Sequence, residues 1–325
     1  MNKLLLLILL ISAFASCRKN EKIQLVGTTQ GSYYAVTFFG NVNERQGIQH
    51  GVDSILKEID ASVSLWNDSS VISRVNRNDT SVTLDKHFVE NFNWAMKAAE
   101  FSNGAFDPTI GPLVEAWGFH NKKEMEMTPE FVDSIRQLVD YRKIQIENGK
   151  IVKANPNMTL DFNAVAQGYT SDVIGKYLLS LGVENFLVDV GGEILARGTK
   201  PNGGKWVVGI ERPSDDKYSE RSVQTEIELY NQAIVTSGNY RKYIEKEGQR
   251  YSHTIDPKTG YPVQRDLLSA TVVADNAAWA DCLASICMIV GREDAKKLLS
   301  NFPEVKAYFI FSDENGELQV ELVEN

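Results

Sequence analysis

The sequence predicts an α+β protein with mixed or largely antiparallel sheet and packed helices. Three observations predict it. From about residue 143 onward, short runs rich in Val, Ile, Thr and aromatic residues dominate. Segments with apolar residues at helical spacing precede those runs and interrupt them. No repeat, low-complexity block or evident linker divides the chain, so a single unit over residues 23–325 is expected.

The N-terminus comes first. Lys3 supplies a positive start, residues 4–15 are apolar, and Phe14-Ala15-Ser16-Cys17 closes the run. The run is about half the ~20 residues a spanning helix needs, so residues 1–16 read as a signal peptide. Small residues before a cysteine resemble a lipobox, which would make Cys17 the lipidated first residue of the mature chain. The other reading is an ordinary secretory signal with an incidental cysteine, but export alone needs no cysteine there. Several acyl chains on Cys17 would anchor firmly where one would not. Residues 17–22 then form a short polar tether, which places the expected domain on the extracytoplasmic side of a membrane.

Residues 23–39 alternate apolar and polar side chains and suit a strand or hairpin. In 48–64, Ile48, Val52, Ile55, Leu56, Ile59 and Val63 fall on one helical face. Asn67-Asp68-Ser69-Ser70 is placed to cap a short helix carrying Val71, Ile72 and Val75. A further helix is expected over 87–102, stopped by Asn103-Gly104. Thr128-Pro129-Glu130 opens another, with Thr128 as N-cap and Pro129 at the first helical position.

Asn148-Gly149 between two apolar runs signals a hairpin. Strands are expected near 159–162, 185–190, 193–197, 205–211, 223–230, 233–236, 250–255 and 268–274. Helices are expected over 164–181, 276–290 and 292–301, and a last hairpin over 306–321 around Asn315-Gly316.

Composition excludes some functions. The net charge of −9 argues against a nucleic-acid partner, because phosphate backbones require clustered Lys and Arg. Of the three cysteines, Cys282 and Cys287 sit on different faces of an apolar helix, so they read as core residues and not as a disulfide. The four histidines (His50, His87, His120 and His253) contain no HxxxH pair, which disfavours a His-rich metal site.

Four segments carry residues suited to chemistry. Around Asp161-Phe162-Asn163-Ala164-Val165-Ala166-Gln167-Gly168, a strand leads into a helix. Asp161 is either the cap of that helix or part of a site where small residues let a ligand or ion approach the backbone. Asp189-Val190-Gly191-Gly192-Glu193 is either a bulged turn or a place where a flat ring or phosphate packs on main chain. His253 stands just before Asp256-Pro257-Lys258-Thr259-Gly260, a stiff turn by composition. That turn suits a phosphate site and equally suits a surface hairpin. Asp281 and Ser285, four apart on an apolar helix, share a face and offer hard oxygen donors of the kind Mg2+ prefers. They could also be the polar edge of a half-buried helix, yet an ionised Asp among apolar neighbours needs a partner.

Taken with Gly27-Thr28-Thr29-Gln30-Gly31, the stretch 62–76 with Trp66 and Ser73-Arg74, Gly104-Ala105-Phe106-Asp107-Pro108, Trp117-Gly118-Phe119 and Thr236-Ser237-Gly238-Asn239-Tyr240, these segments make the chain resemble the ApbE family of FAD:protein FMN transferases. The resemblance runs from about residue 27 to residue 290 and implies a T-fold-like α+β domain. It implies Mg2+ held by the Asp281 carboxylate, the Ser285 hydroxyl and the main-chain carbonyl of Ala164. It implies FAD contacts at Gln30, Trp66, Ala105, Phe106, Asp107, Asp161, Gln167 and Ile255, with His253 near the pyrophosphate. His253 or Asp161 is then the expected base.

The implied partner is a membrane redox protein with an Asp-Gly-x-x-Gly-Ala-Ser/Thr-like motif, such as a subunit of a sodium-translocating quinone reductase. Two positions depart from the family pattern. Ser285 replaces the usual Thr and so lacks the methyl that restricts the rotamer. Gln167 stands where Lys or Glu is common. Competing readings are an Mg2+-dependent FAD pyrophosphatase, a non-catalytic flavin-binding lipoprotein and a solute-binding lipoprotein, the last of which would show two βαβ lobes.

Overall fold

The computed structural model describes residues 21–119, 125–213, 222–239, 243–246 and 249–324. The expected signal peptide, Cys17, most of the expected tether, His120 and Tyr240 lie outside the described residues. Strands β1 (Glu21–Thr29) and β2 (Ser32–Gly40) come first, followed by helices α1 (Arg45–Val63), α2 (Val71–Asn76), α3 (Lys86–Phe101), α4 (Gly111–Ala116) and α5 (Pro129–Arg136). Next are β3 (Ile144–Glu147), β4 (Lys150–Lys153), α6 (Ala166–Ser180), β5 (Phe186–Val190), β6 (Glu193–Arg197), β7 (Trp206–Glu211) and β8 (Val223–Leu229). The chain then forms β9 (Ala233–Gly238), β10 (Tyr243–Lys246), β11 (Gln249–Ser252), β12 (Leu267–Ala274), α7 (Ala277–Val290), α8 (Arg292–Leu299), β13 (Lys306–Ser312) and β14 (Leu318–Val323).

Eight strands form one sheet in the order β1-β2-β5-β6-β9-β12-β13-β14. Its neighbouring pairs are all antiparallel, as the alternating patterns require. One face carries the larger core, where Leu25, Val36, Phe38, Phe186 and Val188 meet the apolar faces of α1, α3, α6 and α7. On the other face the β7–β8 hairpin lays Trp206, Ile210 and Leu229 over Ala196, Ile234, Val273 and Ile310. No described helix is long and apolar enough to cross a membrane.

Local chemistry explains the boundaries. The Ser70 hydroxyl accepts the Ser73 N–H at 3.2 Å, and Asp85 accepts that of Phe88 at 2.9 Å. Thr128 accepts from Phe131 and Asn276 from Trp279, so these four helices start where a short polar side chain takes an orphan donor. Helix α7 is buried almost throughout, which makes Cys282 and Cys287 enclosed free thiols. Burial pushes the Cys287 thiol up to about 12, so neither reactivity nor bridging is in prospect.

Three expectations change. Residues 159–162 are no strand, since Thr159 makes only one parallel bridge, to Ile110. The Asn76 side chain bonds both the N–H and the C=O of Leu160 (2.8 and 2.9 Å) and does the work of a neighbouring strand. The strand expected over 250–255 stops at Ser252, and Ile255 keeps a single bridge to Pro262. Helix α4 and strand β10 are additional elements. The Asp161 carboxylate closes a turn onto the N–H and side chain of Asn163 (2.7 and 3.2 Å).

Candidate active site

The N-terminus of α6 is where the distant segments converge. Gly168, in its first turn, crosses α7 so closely that a Cβ would stand 2.4 Å from the Ala277 carbonyl oxygen. Only glycine fits there. The crossing brings the Asp281 carboxylate onto the Gly168 N–H at 3.3 Å. Asp281, on α7, thus takes a donor that α6 itself leaves unpaired, and it does so four residues beyond Ala164. It is 5% exposed.

One turn further along α7, the half-buried Ser285 hydroxyl lies 3.3 Å from that of Ser237 on β9. The Asp281 carboxylate, the Ser285 hydroxyl and the Ala164 carbonyl are all hard oxygens, the donor chemistry that suits Mg2+. Among the described residues no three of His, Cys, Asp or Glu gather round a common point. A cation here would rely on one carboxylate, neutral oxygens and its ligand's phosphates, the usual mode for Mg2+. The residues fit the metal.

Two turns close on the same helix end. The β1–β2 turn holds Gln30 in the left-handed region at φ 49°, and its Nε2 donates to Thr170 Oγ1 at 2.7 Å. Thr170 in turn donates to the Ala166 carbonyl at 2.6 Å, which fixes the direction of the chain of bonds. Among the described residues, the buried Gln30 Oε1 has no hydrogen-bond partner. A buried acceptor without a partner leaves a position that a water or a ligand donor can fill. At the β5–β6 turn, Gly191 has φ 72°, and a Cβ there would come within 2.3 Å of Gln167 Nε2. Its N–H donates to the Tyr33 carbonyl at 2.9 Å, which joins the two turns.

The other wall comes from residues 104–110 and 253–263. The Asp161 N–H donates to the Pro108 carbonyl at 2.8 Å. Asp107 is engaged within the protein: Oδ1 accepts from the Thr109 N–H and hydroxyl (2.8 and 2.6 Å) and Oδ2 from the Tyr141 N–H (2.8 Å). Burial nevertheless pushes its carboxyl above the ordinary range. It shapes the loop that carries Ala105 and Phe106, both buried.

Ala105 packs with Val263 and Ile289, tying this loop to α7 and to the turn after His253. That turn is as stiff as its composition suggests. The Gly260 N–H bonds the Asp256 carbonyl at 2.8 Å, and Trp117 Nε1 holds the Gly260 carbonyl at 2.9 Å. His253 is half-buried at its entrance, and Ile255 is buried behind it. Trp66, in the α1–α2 loop, is 65% exposed and keeps an aromatic face in solvent.

Residues that spacing alone did not single out support this site from behind. Asp172 accepts the Ala277 and Ala278 N–H groups at 2.9 Å each. Lys153 Nζ reaches the carbonyls of Val75 and Met158 (3.0 Å each) and of Asn76 (3.4 Å). With Asn76 it fixes the segment that leads into Asp161.

Comparison with known proteins agrees with this geometry. The flavin transferase ApbE of Vibrio cholerae has the same fold, with a TM-score of 0.82 and 30% identity over 93% of this chain and 97% of that one. The apo flavinyl transferase ApbE of Pseudomonas stutzeri gives 0.83 and 29%, over 95% and 96%. Fold and site therefore define the class of the flavin transferases.

The family model described as "ApbE family" matches residues 30–309, and the chain belongs to the ApbE family. The FAD:protein FMN transferase of Haemophilus influenzae is 33% identical over 94% of this chain and 91% of its own length. That of Vibrio cholerae is 34% identical over 86% and 85%.

Proposed function

We propose that this enzyme transfers FMN from FAD to a Ser or Thr hydroxyl of an acceptor protein, forming a phosphoester and releasing AMP. One observation carries the reading: Asp281 meets the N-terminus of α6 at the point where Gln30, Gln167 and the Gly191-Gly192 turn also converge. Oxygen donors for a cation thereby stand beside a cradle with a buried acceptor that has no partner among the described residues. A dinucleotide with a flat ring and a pyrophosphate matches both.

In this reading the cradle binds and orients FAD. Gln30 presents its amide oxygen to a donor on the substrate, and the Gly191-Gly192 turn leaves main chain open to the ligand. Asp281, Ser285 and the Ala164 carbonyl would hold Mg2+, which supplies charge neutralisation at the phosphoryl oxygens. The acceptor hydroxyl oxygen forms a bond to the FMN-side phosphorus, the bridging P–O bond breaks, and AMP leaves with the electron pair. The hydroxyl proton passes to His253 or Asp161.

A lipid anchor at Cys17 would confine the enzyme to the membrane surface and raise its effective concentration toward a membrane-bound acceptor. The substrate side of that encounter is a redox subunit on the same surface.

The test is incubation with FAD, Mg2+ and a peptide bearing the acceptor motif. A fluorescent peptide together with AMP supports the transferase. Free FMN and AMP with an unmodified peptide identify a pyrophosphatase. Bound FAD without products reduces the protein to a flavin carrier. Mass measurement of the full-length chain made in a bacterial host separately checks for acylation at Cys17.

A further inference from the structure

The hydroxyl pair of Ser237 and Ser285 has a proton balance that spacing could not reveal. Ser285 lies on α7, where a serine commonly bonds the carbonyl four residues back. It does not do so here. Among the described residues its hydrogen-bond partner is the Ser237 hydroxyl on β9, at 3.3 Å, and Ser237 has no other side-chain partner. Two hydroxyl protons thus share one oxygen–oxygen contact. Either hydroxyl can donate across that contact, and among the described residues the other proton finds no acceptor.

A cation decides which is which. A hydroxyl that ligates a cation turns a lone pair toward it and its proton away. Among the described residues, the acceptor available to a Ser285 proton turned that way is Ser237 Oγ. Resting on the flavin-transferase reading and its metal, we infer that Ser237 is a positioning residue, which takes the Ser285 proton and thereby fixes that oxygen's lone pair on Mg2+. The Ser237 O–H is then left to donate outward, and a phosphoryl oxygen of the substrate is an acceptor of the right chemistry. This also accounts for a serine at 285. A threonine would hold its hydroxyl by the crowding of its methyl, whereas here a hydrogen bond from the neighbouring strand does it.

The test uses the full chain and isothermal titration with Mg2+ alone and with Mg2+ plus ADP. Ser237→Ala raises the Mg2+ dissociation constant about tenfold, the lower end of what losing an outer-shell partner costs. Ser237→Thr, which keeps the hydroxyl, restores it. In a Ser285→Thr background the Ser237→Ala loss shrinks, because the methyl takes over. Matching melting curves show that each variant is folded, and the Thr variant carries the test should Ala fold poorly.

An unchanged Mg2+ constant in Ser237→Ala, or equal losses in both backgrounds, overturns the inference even where the wild type transfers FMN. Absence of FMN transfer by the wild type, with the Mg2+ pattern intact, overturns instead the acceptor reading. No Mg2+ binding by the wild type, with or without ADP, overturns both the metal and this inference.

Discussion

Asp172 and Asp281 cap each other's helices. Asp172, on α6, accepts the first two N–H groups of α7 at 2.9 Å, while Asp281, on α7, accepts the Gly168 N–H of α6 at 3.3 Å. Both carboxylates are buried, and each faces the positive end of the other helix. The exchange locks the two helices in one register and leaves Asp281 aimed at the site. Burial raises the Asp172 carboxyl above its ordinary range, the two N–H bonds opposing the shift.

Asp172 acts in the helix packing, whereas Asp281 also carries the proposed metal role. Asp172→Ala strands two buried N–H donors, which costs about 1–3 kcal/mol. Chemical denaturation reads the loss. A variant as stable as the wild type would mean that water replaces the carboxylate without penalty.

Asp281→Asn should separate stability from activity. The amide oxygen can still accept from Gly168, so the melting temperature changes little, but the charge for a cation is gone. Mg2+-dependent release of AMP from FAD falls by at least a hundredfold. Turnover near the wild-type rate would remove Asp281 from the metal site.

Gly168→Ala tests the crossing. The added methyl meets main chain at Ala277, which cannot rotate away, so α6 and α7 must separate. Overpacking of this kind costs about 1–3 kcal/mol. FAD affinity falls as well, because Gln167 and the Asp281 carboxylate move apart. Unaltered stability would show that the helices have slack.

Lys153 provides a pH signature. Burial pulls its ammonium down to about 8 from the ordinary 10.5. Between those values the unfolded chain binds more protons than the folded one, so this residue's contribution to stability rises with pH from about 8 to 10.5 and is lost as pH falls through about 8. Denaturation of the wild type and Lys153→Met at several pH values should show their difference shifting toward the wild type across that window. A difference independent of pH would mean that the three carbonyls hold the proton as firmly as water does.

Much of the fold was legible because its signals are local. The helical face in α1, the caps at Ser70, Thr128 and Asn276 and the Asn148-Gly149 turn all act within a few residues. The strand expected at 159–162 failed for the opposite reason. Its backbone is satisfied by Asn76, 84 residues away, which no window along the chain registers. That Asp281 takes the Gly168 N–H across 113 residues was out of reach for the same reason.

The sequence by itself determined the alternation of strands and helices and the segments rich in Asp, Gly, Ser and His that the fold brings together. Those properties are set by neighbours in the chain. The tertiary structure alone decided that Asp281 reaches α6, that Gln30 Oε1 is buried without a partner among the described residues and that Ser237 faces Ser285. Each depends on packing distances between elements far apart in sequence, fixed only when one sheet and two crossing helices exclude every other arrangement.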